Sequence, residues 1–530
     1  MPPEDQVFRT GVHKYANFNL TALLQLAESI RGQQCYCDET QTPKRGTFNW
    51  VVTLVFGDGV KWIFRSPLPG CFGSSERLEA IVASEAATIK YLKNHSSIPV
   101  PQVFAYSAVE SNPIGVRYIL MSHADGVPLS SYMWKTPQGL DAALDGESPE
   151  PPAEKRVLSE EDKKKVLAGV AGVMAQLMNV RFGRIGSLFE RDDDGVAVGE
   201  CLAPAFTWMG RDLLLRPQRG PFSSSWEFYV AQIDFLADHV RQLPMLDRIL
   251  GAPKPIAEDF DAVSTYQQAS QRWRDYVTLA RKGDSSRNRL DFYITCTLIQ
   301  NVIPLLATSQ LAPGEATDAM PTAWRDTFPL WHPDLNAGNI YVDDALNITC
   351  VIDWTSATTA PTPLLLATPA LPHLWNEPTG SHTATFRVKM QMRVPELTLG
   401  PELCRRAEAA RRFVLFTTMG SSREVRDLQA LQRFLADTAE TAQSVTWFVT
   451  TARRQQKWAA ALAKLEEKDA SAGELWEAAR NYFAGFATRE ERMALAMKVT
   501  DFVEKQNVFC VIPPQSWSSL SADGELALEK

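Results

Sequence analysis

The sequence predicts an α+β chain in which a small, strand-rich first part precedes a larger, mostly helical part. Three observations carry this prediction. Two apolar strand patterns, separated by a glycine-containing turn, lie within residues 48–65. Helical periodicity dominates from residue 159 onward. A second pair of strand patterns, with polar residues at its ends, interrupts the helices at residues 332–354.

The bulk composition is that of a folded protein without a strong attraction to nucleic acid or membranes. The 530 residues are enough for two or more core-bearing units. Lys and Arg number 54 and Asp and Glu 62, so the formal net charge is −8. We therefore expect binding neither to nucleic acid nor to an anionic membrane. The eight cysteines are scattered without metal-binding spacing, which predicts reduced thiols.

The N-terminal residues, MPPEDQVFRTG, contain no apolar signal core, and the acidic residues at positions 4 and 5 fit a mitochondrial presequence poorly. The most membrane-like run, Leu290 to Ala307, contains Asp291 and Pro304, so it predicts a buried helix rather than a membrane span. We therefore expect a cytoplasmic protein.

The first part opens with an amphipathic helix and a strand hairpin. Apolar residues recur at helical spacing from Asn19, a good N-cap, until Gly32. Residues 33–47 are polar and predict a loop. The strand patterns Phe48 to Phe56 and Val60 to Arg65 then flank a Gly-Asp-Gly turn and predict a hairpin.

A second helix and a short strand complete this part. Ser74 or Ser75 caps a helical pattern through about Asn94. Prolines in the segment Ile98 to Ala108 predict an extended connector that enters an edge strand. Tyr118 to Met121 form a short apolar strand that leads to Gly126, where glycine allows a sharp bend.

The larger part is predicted as successive helices. Residues 135–158 are rich in Pro, Gly, Asp and Glu and predict a surface insert. Ser159 and Asp162 form a capping-box pattern ahead of a helix that extends to about Val180. Further helices are predicted at residues 224–242, 259–282 and 287–309, and from residue 400 onward.

The stretch from His332 to Trp354, HPDLNAGNIYVDDALNITCVIDW, is the most informative part of the chain. Two short strands joined by an Asp-Asp turn bring Asp334, Asn339 and Asp353 to one end of a hairpin. Carboxylate and amide oxygens suit Mg²⁺, which binds through one or two carboxylates together with substrate phosphates. The alternative is a hairpin that carries Asp and Asn only as turn formers. The order H-x-D-x-x-x-x-N, followed by a strand-terminal Asp, is the kinase catalytic-loop pattern.

With these residues the chain resembles the aminoglycoside phosphotransferase family, a small-molecule branch of the protein-kinase-like fold. It is most similar to the long fungal subgroup of proteins like altered inheritance of mitochondria protein 9. The resemblance, over residues 44–361, implies a bilobal α+β fold. The small β-rich N-terminal lobe would span residues 1–121, and the hinge would span residues 122–126. The mostly helical C-terminal lobe would span residues 127–400, and a C-terminal helical extension would span residues 401–530.

The resemblance also assigns roles to the residues of the catalytic stretch. It implies that Asp334 is the catalytic base and that Asn339 and Asp353 are the Mg²⁺ ligands. His332 is implied to be a structural hydrogen-bonding residue. ATP and Mg²⁺ are the implied cofactors.

Further residues are implied to bind the nucleotide. Gly46 and Asn49 lie in the loop that covers the phosphates, and Arg65 neutralises phosphate charge while Glu85 orients it. The hinge backbone reads the adenine edge at Met121, Ser122, His123 and Ala124. From the residues alone, Arg65 could instead be a solvent-facing strand end, with Lys61 in its role, and Glu85 a solvated helix acid.

The implied function is ATP- and Mg²⁺-dependent phosphorylation of a hydroxyl on a small molecule, with no inferable protein partner. Arg65 stands where protein kinases carry Lys, Ser122 where the family commonly has Glu, and Thr355 where it often has an acid. A catalytically silent, nucleotide-binding scaffold is therefore an alternative. A protein kinase is another, although no A-P-E motif occurs. Family resemblance alone also leaves a mitochondrial location open.

Overall fold

The computed structural model describes residues 11–46, 48–68, 74–134, 156–193, 195–214, 218–242, 296, 299–300, 303–307, 321, 324, 326–371, 378–418 and 460. Several predicted segments lie outside these residues. They are residues 135–155 of the insert predicted at residues 135–158, the helix at residues 259–282, most of the helix at residues 287–309 and most of the C-terminal extension.

The α+β class is confirmed, since antiparallel sheets and helices both occur in the described chain. The strands are β1 Cys35–Tyr36, β2 Lys44–Arg45, β3 Asn49–Phe56, β4 Lys61–Pro67, β5 Val103–Ser107, β6 Tyr118–Ser122, β7 Val127–Pro128, β8 Arg181–Phe182, β9 Leu188–Glu190, β10 Val196–Val198, β11 Phe328–Trp331, β12 Ile340–Val342, β13 Ile348–Val351 and β14 Thr358–Thr359. The helices are α1 Leu20–Arg31, α2 Ser75–His95, α3 Glu160–Leu177, α4 Pro204–Thr207, α5 Ser225–Gln242, α6 Ile303–Ala307, α7 Pro363–Leu366, α8 Gly380–Arg393 and α9 Pro401–Thr418. Short 3₁₀ helices cover Gly11–His13, Leu129–Ser131 and Trp208–Leu213.

The N-terminal lobe is built on one antiparallel sheet with the strand order β1-β3-β4-β6-β5, and β2 also pairs with β3. Strands β3 and β4 form the predicted hairpin, in register from Asn49 opposite Pro67 to Val55 opposite Lys61. Strand β5 lies at the sheet edge, as predicted. The sequence predicts a loop where β1 and β2 lie, because these two-residue strands lack an apolar pattern of their own and pair only along β3.

Aromatic side chains fill the space between α1 and this sheet. Trp50 and Phe64 are fully buried and meet edge to face, with ring centroids 5.7 Å apart. Phe18 stacks on Phe64 at 5.4 Å, and Val12 is fully buried in the same cluster. Burial of each large apolar side chain contributes about 1.5–3 kcal/mol. The segment before α1, which contributes Val12 and Phe18, therefore closes this core.

Helix α2 joins the two lobes through a shared core. Its N-cap is Ser74, whose hydroxyl accepts a hydrogen bond from the Arg77 amide at 3.3 Å. Val82 and Ile89 on α2 belong to the same apolar cluster as residues of α3 and of the β12–β13 hairpin. Polar contacts reinforce this packing: Arg77 pairs with Glu200, and Lys90 Nζ lies 2.8 Å from Glu190 Oε1. The position of α2 is thereby fixed relative to the C-terminal lobe.

The first long helix of the C-terminal lobe, α3, begins at the predicted capping box. The Ser159 hydroxyl accepts from the Asp162 amide, and the Asp162 carboxylate accepts from the Ser159 amide, each at 3.1 Å. Helix α3 packs on α8, and α9 packs on α5 and α7. The hairpin β12–β13 and strand β7 form a three-stranded sheet. No helix in the described chain is long and apolar enough to cross a membrane. The cysteines that the structure describes are free thiols.

Candidate active site

His332 holds the start of the catalytic stretch, directly after β11. Its ring is buried against Trp354, with ring centroids 4.7 Å apart. The Asp334 amide donates to Nδ1 at 3.2 Å, so the proton lies on Nε2, which donates to the Ile352 carbonyl at 3.0 Å. Burial lowers the pKa of His332, which keeps the ring neutral. Both ring nitrogens are used to join the two ends of the hairpin.

Asp334 is the next polar group in the loop. The Asn336 amide donates to Oδ1 at 2.7 Å, and the Asn339 amide donates to Oδ2 at 3.2 Å. Burial raises the pKa of the Asp334 carboxyl to about 6, although both hydrogen bonds lower it. The carboxyl is therefore ionised at neutral pH with a pKa close to that of an effective general base.

Asn339 and Asp353 lie side by side at the open end of the hairpin. Ile340 is opposite Val351, and the Ile352 amide donates to the Asn339 carbonyl at 2.9 Å. Asp353 has a φ of +62°, which is uncommon for a residue with a side chain. Such backbone geometry is concentrated at functional sites, where the surrounding structure maintains it.

Arg65 joins the two lobes at this point. Its guanidinium pairs with Glu85 on α2 and, through Nη2, with Asp353 Oδ1 at 2.6 Å. Arg65 and Glu85 are both buried. Burial would lower the pKa of Arg65, but the charges of Glu85 and Asp353 outweigh that effect and raise it. Burial would raise the pKa of Asp353, but the Arg65 charge and the Thr355 hydroxyl bring it below the ordinary value.

Thr355 completes this ion cluster. Its Oγ1 lies 2.7 Å from Arg65 Nη2, 2.9 Å from Glu85 Oε2 and 2.8 Å from Asp353 Oδ1. The hydroxyl accepts from Arg65 and has one proton to donate to either carboxylate. The sequence marks Thr355 only as a departure from an acidic residue. Its position two residues after Asp353 was the signal that could have marked it as a site residue. Its contacts with Arg65 and Glu85 could not be predicted, because those residues are distant in sequence.

The oxygen groups of Asp353 and Asn339 fit a Mg²⁺ ion. Both are hard ligands, and Mg²⁺ typically takes one or two protein oxygens while phosphates and waters supply the rest. The Asn339 amide nitrogen donates to the Asp334 carbonyl at 2.8 Å, which leaves the amide oxygen as the ligand atom. Within the described ranges, no group of three or more His, Cys, Asp or Glu residues has metal-binding geometry.

The predicted phosphate-covering loop is the turn between β2 and β3. The Gly46 amide donates to the Asn49 carbonyl at 2.8 Å, and Thr47 between them lies outside the described residues. The Phe48 ring lies 5.4 Å from Trp208 of the C-terminal lobe. The loop therefore contacts both lobes, and a role for Gly46 and Asn49 at phosphates stays a prediction.

The predicted adenine-reading hinge is partly occupied by internal hydrogen bonds. Met121 is buried on β6, and Ser122 is the last residue of that strand. The Ser122 amide donates to the Gln102 carbonyl at 2.9 Å, and the His123 amide to the Lys61 carbonyl at 3.3 Å. An adenine base here would be read by groups other than these two amides. The hinge role, including that of Ala124, stays a prediction.

The structure therefore brings five predicted residues into one region: Arg65, Glu85, Asp334, Asn339 and Asp353. Lys61, the other candidate for the Arg65 position, is exposed. Asp192 and Asp193 are exposed, and Asp193 pairs with Arg191 at 2.9 Å.

Sequence comparison finds fungal relatives. A subtelomeric hrmA-associated cluster protein of Aspergillus fumigatus is 26% identical over 361 residues, which cover 64% of this chain and 62% of that protein. The chain thus spans less than two thirds of the length of this curated relative. Altered inheritance of mitochondria protein 9 of Candida glabrata is 32% identical over 115 residues, 22% of this chain and 17% of that protein. No family model matches the chain.

Solved structures with a similar chain trace are small-molecule kinases. A macrolide 2′-phosphotransferase type I aligns over 85% of this chain and 97% of its own, with 14% identity and a TM-score of 0.36. A putative fructosamine-3-kinase from Thermobifida fusca aligns over 79% and 99%, with 14% identity and a TM-score of 0.39. The predicted resemblance to altered inheritance of mitochondria protein 9 is confirmed, because proteins of that name are among the sequence relatives of this chain.

Proposed function

We propose that this protein is a phosphotransferase that uses ATP and Mg²⁺ to phosphorylate a hydroxyl group of a small molecule. One observation carries the proposal. Arg65 and Glu85 of the N-terminal lobe meet Asp353 of the C-terminal lobe in one ion cluster, adjacent to the Asp334–Asn339 loop. Phosphoryl transfer needs this combination of a cation for the phosphates, a metal-binding pair and a carboxylate base.

The proposed reaction is an in-line displacement. The acceptor oxygen attacks the γ-phosphorus of ATP while its proton passes to the Asp334 carboxylate. The bond between the γ-phosphorus and the bridging oxygen breaks, and ADP leaves. When bound, Mg²⁺ would neutralise phosphate charge, and Asn339 and Asp353 would hold it. Arg65, oriented by Glu85, would neutralise the remaining charge on the phosphates.

The test is thermal unfolding with ATP, with and without Mg²⁺. A ligand at about a hundred times its dissociation constant adds roughly 2.7 kcal/mol to the stability of the folded state. We expect Mg²⁺-dependent stabilisation of the wild type and of Asp344→Ala, in which an exposed turn residue of the same hairpin is changed. The Asp353→Ala variant should lose it. Equal stabilisation of Asp353→Ala and the wild type would contradict the metal assignment.

A silent nucleotide-binding scaffold is the second candidate. The ion pair between Arg65 and Asp353 favours it, because a cation that already neutralises Asp353 opposes the binding of Mg²⁺ there. The Arg65→Lys variant separates the two functions. Faster ATP turnover in the variant would mean that Arg65 limits an enzyme. Absence of turnover in both proteins, together with retained ATP binding, would support the scaffold.

The location of the protein is a further part of the proposal. We infer a cytoplasmic protein from the sequence, but the names of the relatives from Candida glabrata and Debaryomyces hansenii call those proteins mitochondrial. Fractionation of cells that produce a C-terminally tagged chain decides between the two. Recovery in purified mitochondria with protection from added protease would overturn the cytoplasmic assignment.

A further inference from the structure

A cavity of about 100 Å³ lies in the C-terminal lobe against the catalytic loop. Pro333 and Leu335, the two neighbours of Asp334 in the chain, line one side of it. Residues of helix α9 and of the segment that follows α7 line the opposite side. A cavity needs only about 10–15 Å³ to hold one water molecule, so this one is large enough for a small organic group.

Three polar atoms of the cavity lining have no hydrogen-bond partner among the described residues. They are Trp208 Nε1, Thr368 Oγ1 and Thr418 Oγ1, and all three atoms are buried. Thr368 is 0% exposed and Thr418 6% exposed, so bulk water does not solvate these hydroxyls. Buried polar groups in folded proteins nearly always have a partner. The three atoms therefore indicate a ligand that accepts one hydrogen bond from the indole and exchanges others with the hydroxyls.

The charge of the lining restricts this ligand. Among the described residues that line the cavity, none carries a carboxylate, and the permanent charge is that of Arg411. Arg411 Nε in turn lies 3.2 Å from Glu408 Oε2. Most of the remaining lining is apolar, with Leu364, Leu365 and Val414 among its members. A cationic ligand would be desolvated here without a counter-charge, which is costly.

We propose that the cavity binds the apolar body of the phosphoryl acceptor, and that this acceptor is an uncharged alcohol rather than a polycationic amine. The inference rests on the proposed function, because it takes Asp334 as the base. The acceptor hydroxyl would lie at the edge of the cavity next to Asp334, while its apolar part contacts the leucines. Trp208 also contacts Phe48 of the phosphate-covering loop, so an occupied cavity would help to position that loop.

Calorimetric titration without nucleotide tests the ligand class. The two ligands are 1-pentanol (the alcohol) and 4-amino-1-butanol (the amine), which have the same shape and the same hydroxyl, whereas the amine carries a positive charge at the opposite end, inside the cavity. We expect the alcohol to bind the wild type at least tenfold more tightly than the amine. Equal affinities, or no heat from the alcohol up to its solubility limit, would overturn the proposal.

Matched variants locate the binding site. Thr368→Val and Thr418→Val each remove one unpartnered hydroxyl with little change in shape, and each should weaken alcohol binding at least threefold. Thr88→Val is the control, because Thr88 Oγ1 is also buried and unpartnered but lies on α2, away from the cavity. An equal loss in Thr88→Val and Thr368→Val would contradict the assignment. This titration contains no nucleotide, so it is independent of the thermal-unfolding test with Mg·ATP. If the protein binds the alcohol but not Mg·ATP, the proposed phosphotransferase function is refuted, whereas the inferred ligand class is retained.

Discussion

Asp334 combines a chemical advantage with a cost to stability. Burial raises the pKa of its carboxyl from 3.8 to about 6. Between these two values the unfolded chain binds fewer protons than the folded one, so this residue makes the unfolding free energy fall as pH rises. The full shift corresponds to about 3 kcal/mol, and partial solvent exposure of the side chain reduces it to on the order of 1–2 kcal/mol.

Replacing Asp334 with Asn should therefore abolish turnover without a loss of stability. At pH 7.5 the removal of the buried negative charge should contribute about 1–2 kcal/mol, and the loss of one of the two accepted hydrogen bonds should offset about 1 kcal/mol of it. Chemical denaturation measures this difference, and Asp344→Asn serves as an exposed control with no expected change. A less stable Asp334→Asn variant, or one with wild-type ATP turnover, would contradict the role of Asp334 as a buried base.

The same pKa predicts the acid limb of the rate profile. A general base works only when it is deprotonated, so kcat/KM should decline about tenfold per pH unit as pH falls below 6. The profile of kcat/KM reports the free enzyme, which is the state that the structure describes. An acid limb near pH 4, where an ordinary Asp titrates, would show that burial does not raise the pKa of Asp334.

Thr355→Val tests the hydroxyl that links the ion cluster. The variant keeps the shape of the side chain and removes the hydrogen bond from Arg65 and the one that the hydroxyl donates to Glu85 or Asp353, which should cost about 1.5–3 kcal/mol. It should also weaken Mg·ATP binding in calorimetry, because Asp353 loses a group that keeps it ionised. Thr40→Val is the matched control, since its hydroxyl donates to the exposed Asp38 carboxylate at 2.7 Å. A loss no larger than that of Thr40→Val would show that Thr355 is dispensable.

The contact between residues close in sequence could be predicted from their spacing, whereas Arg65 and Asp353, which the fold brings together, could be named only through the family resemblance. Asp334 and Asn339 belong to one loop, so their spacing alone indicates that they meet. Thr355 contacts Glu85 and Arg65, which are 270 and 290 residues away, and no local pattern specifies such partners. Trp208 was missed for the same reason, because its contact with Phe48 exists only after the lobes are assembled.

Among the elements, the turn after β6 determines how the hinge meets the catalytic hairpin. Gly126 and Gly115 both have a φ of +86°, a conformation that suits glycine. A Cβ on Gly126 would lie 2.2 Å from the Val342 carbonyl oxygen of β12, whereas one on Gly115 would meet no atom within 4 Å. An alanine at either position would therefore strain the backbone, but only an alanine at Gly126 would also clash with a neighbouring strand.

The pair Gly115→Ala and Gly126→Ala tests this distinction. We expect Gly115→Ala to cost about 1–2 kcal/mol from its backbone conformation alone. Gly126→Ala should cost about 1–3 kcal/mol more, because β7 and β12 must separate. Chemical denaturation gives both values. Equal losses would show that β7 moves away without cost and does not hold the hinge against the hairpin.

Elements with their own signals could be predicted, including α1, α2 and α3, whose N-caps Asn19, Ser74 and Ser159 stand at the expected positions. The β3–β4 and β12–β13 hairpins likewise combine apolar strands with turn residues. The two-residue strands β1 and β2 could not be predicted, because their neighbour β3 supplies the pairing. A strand that is stabilised mainly by pairing with a neighbouring strand need not have a strand pattern in its own sequence.

At the scale of the whole molecule, Arg65 neutralises a carboxylate from each lobe. Arg65→Met would leave Glu85 and Asp353 close together and unpaired, which should cost about 3–5 kcal/mol. Arg31→Met breaks the more exposed pair between Arg31 and Asp58 and should cost less than about 1 kcal/mol. Denaturant unfolding compares the two variants. Similar losses would mean that the interlobe cluster contributes no more than a surface pair.

The contact between Arg65 and Asp353 also has a consequence for the order in which the protein folds. Arg65 and Glu85 are 20 residues apart, whereas Arg65 and Asp353 are 288 apart. Closing the longer loop costs about 2 kcal/mol more in chain entropy. During synthesis, the ion pair between Arg65 on β4 and Glu85 on α2 can form long before Asp353 leaves the ribosome. The candidate active site therefore cannot assemble before Asp353 has been synthesised, so a chain that ends before this residue would lack the interlobe ion cluster.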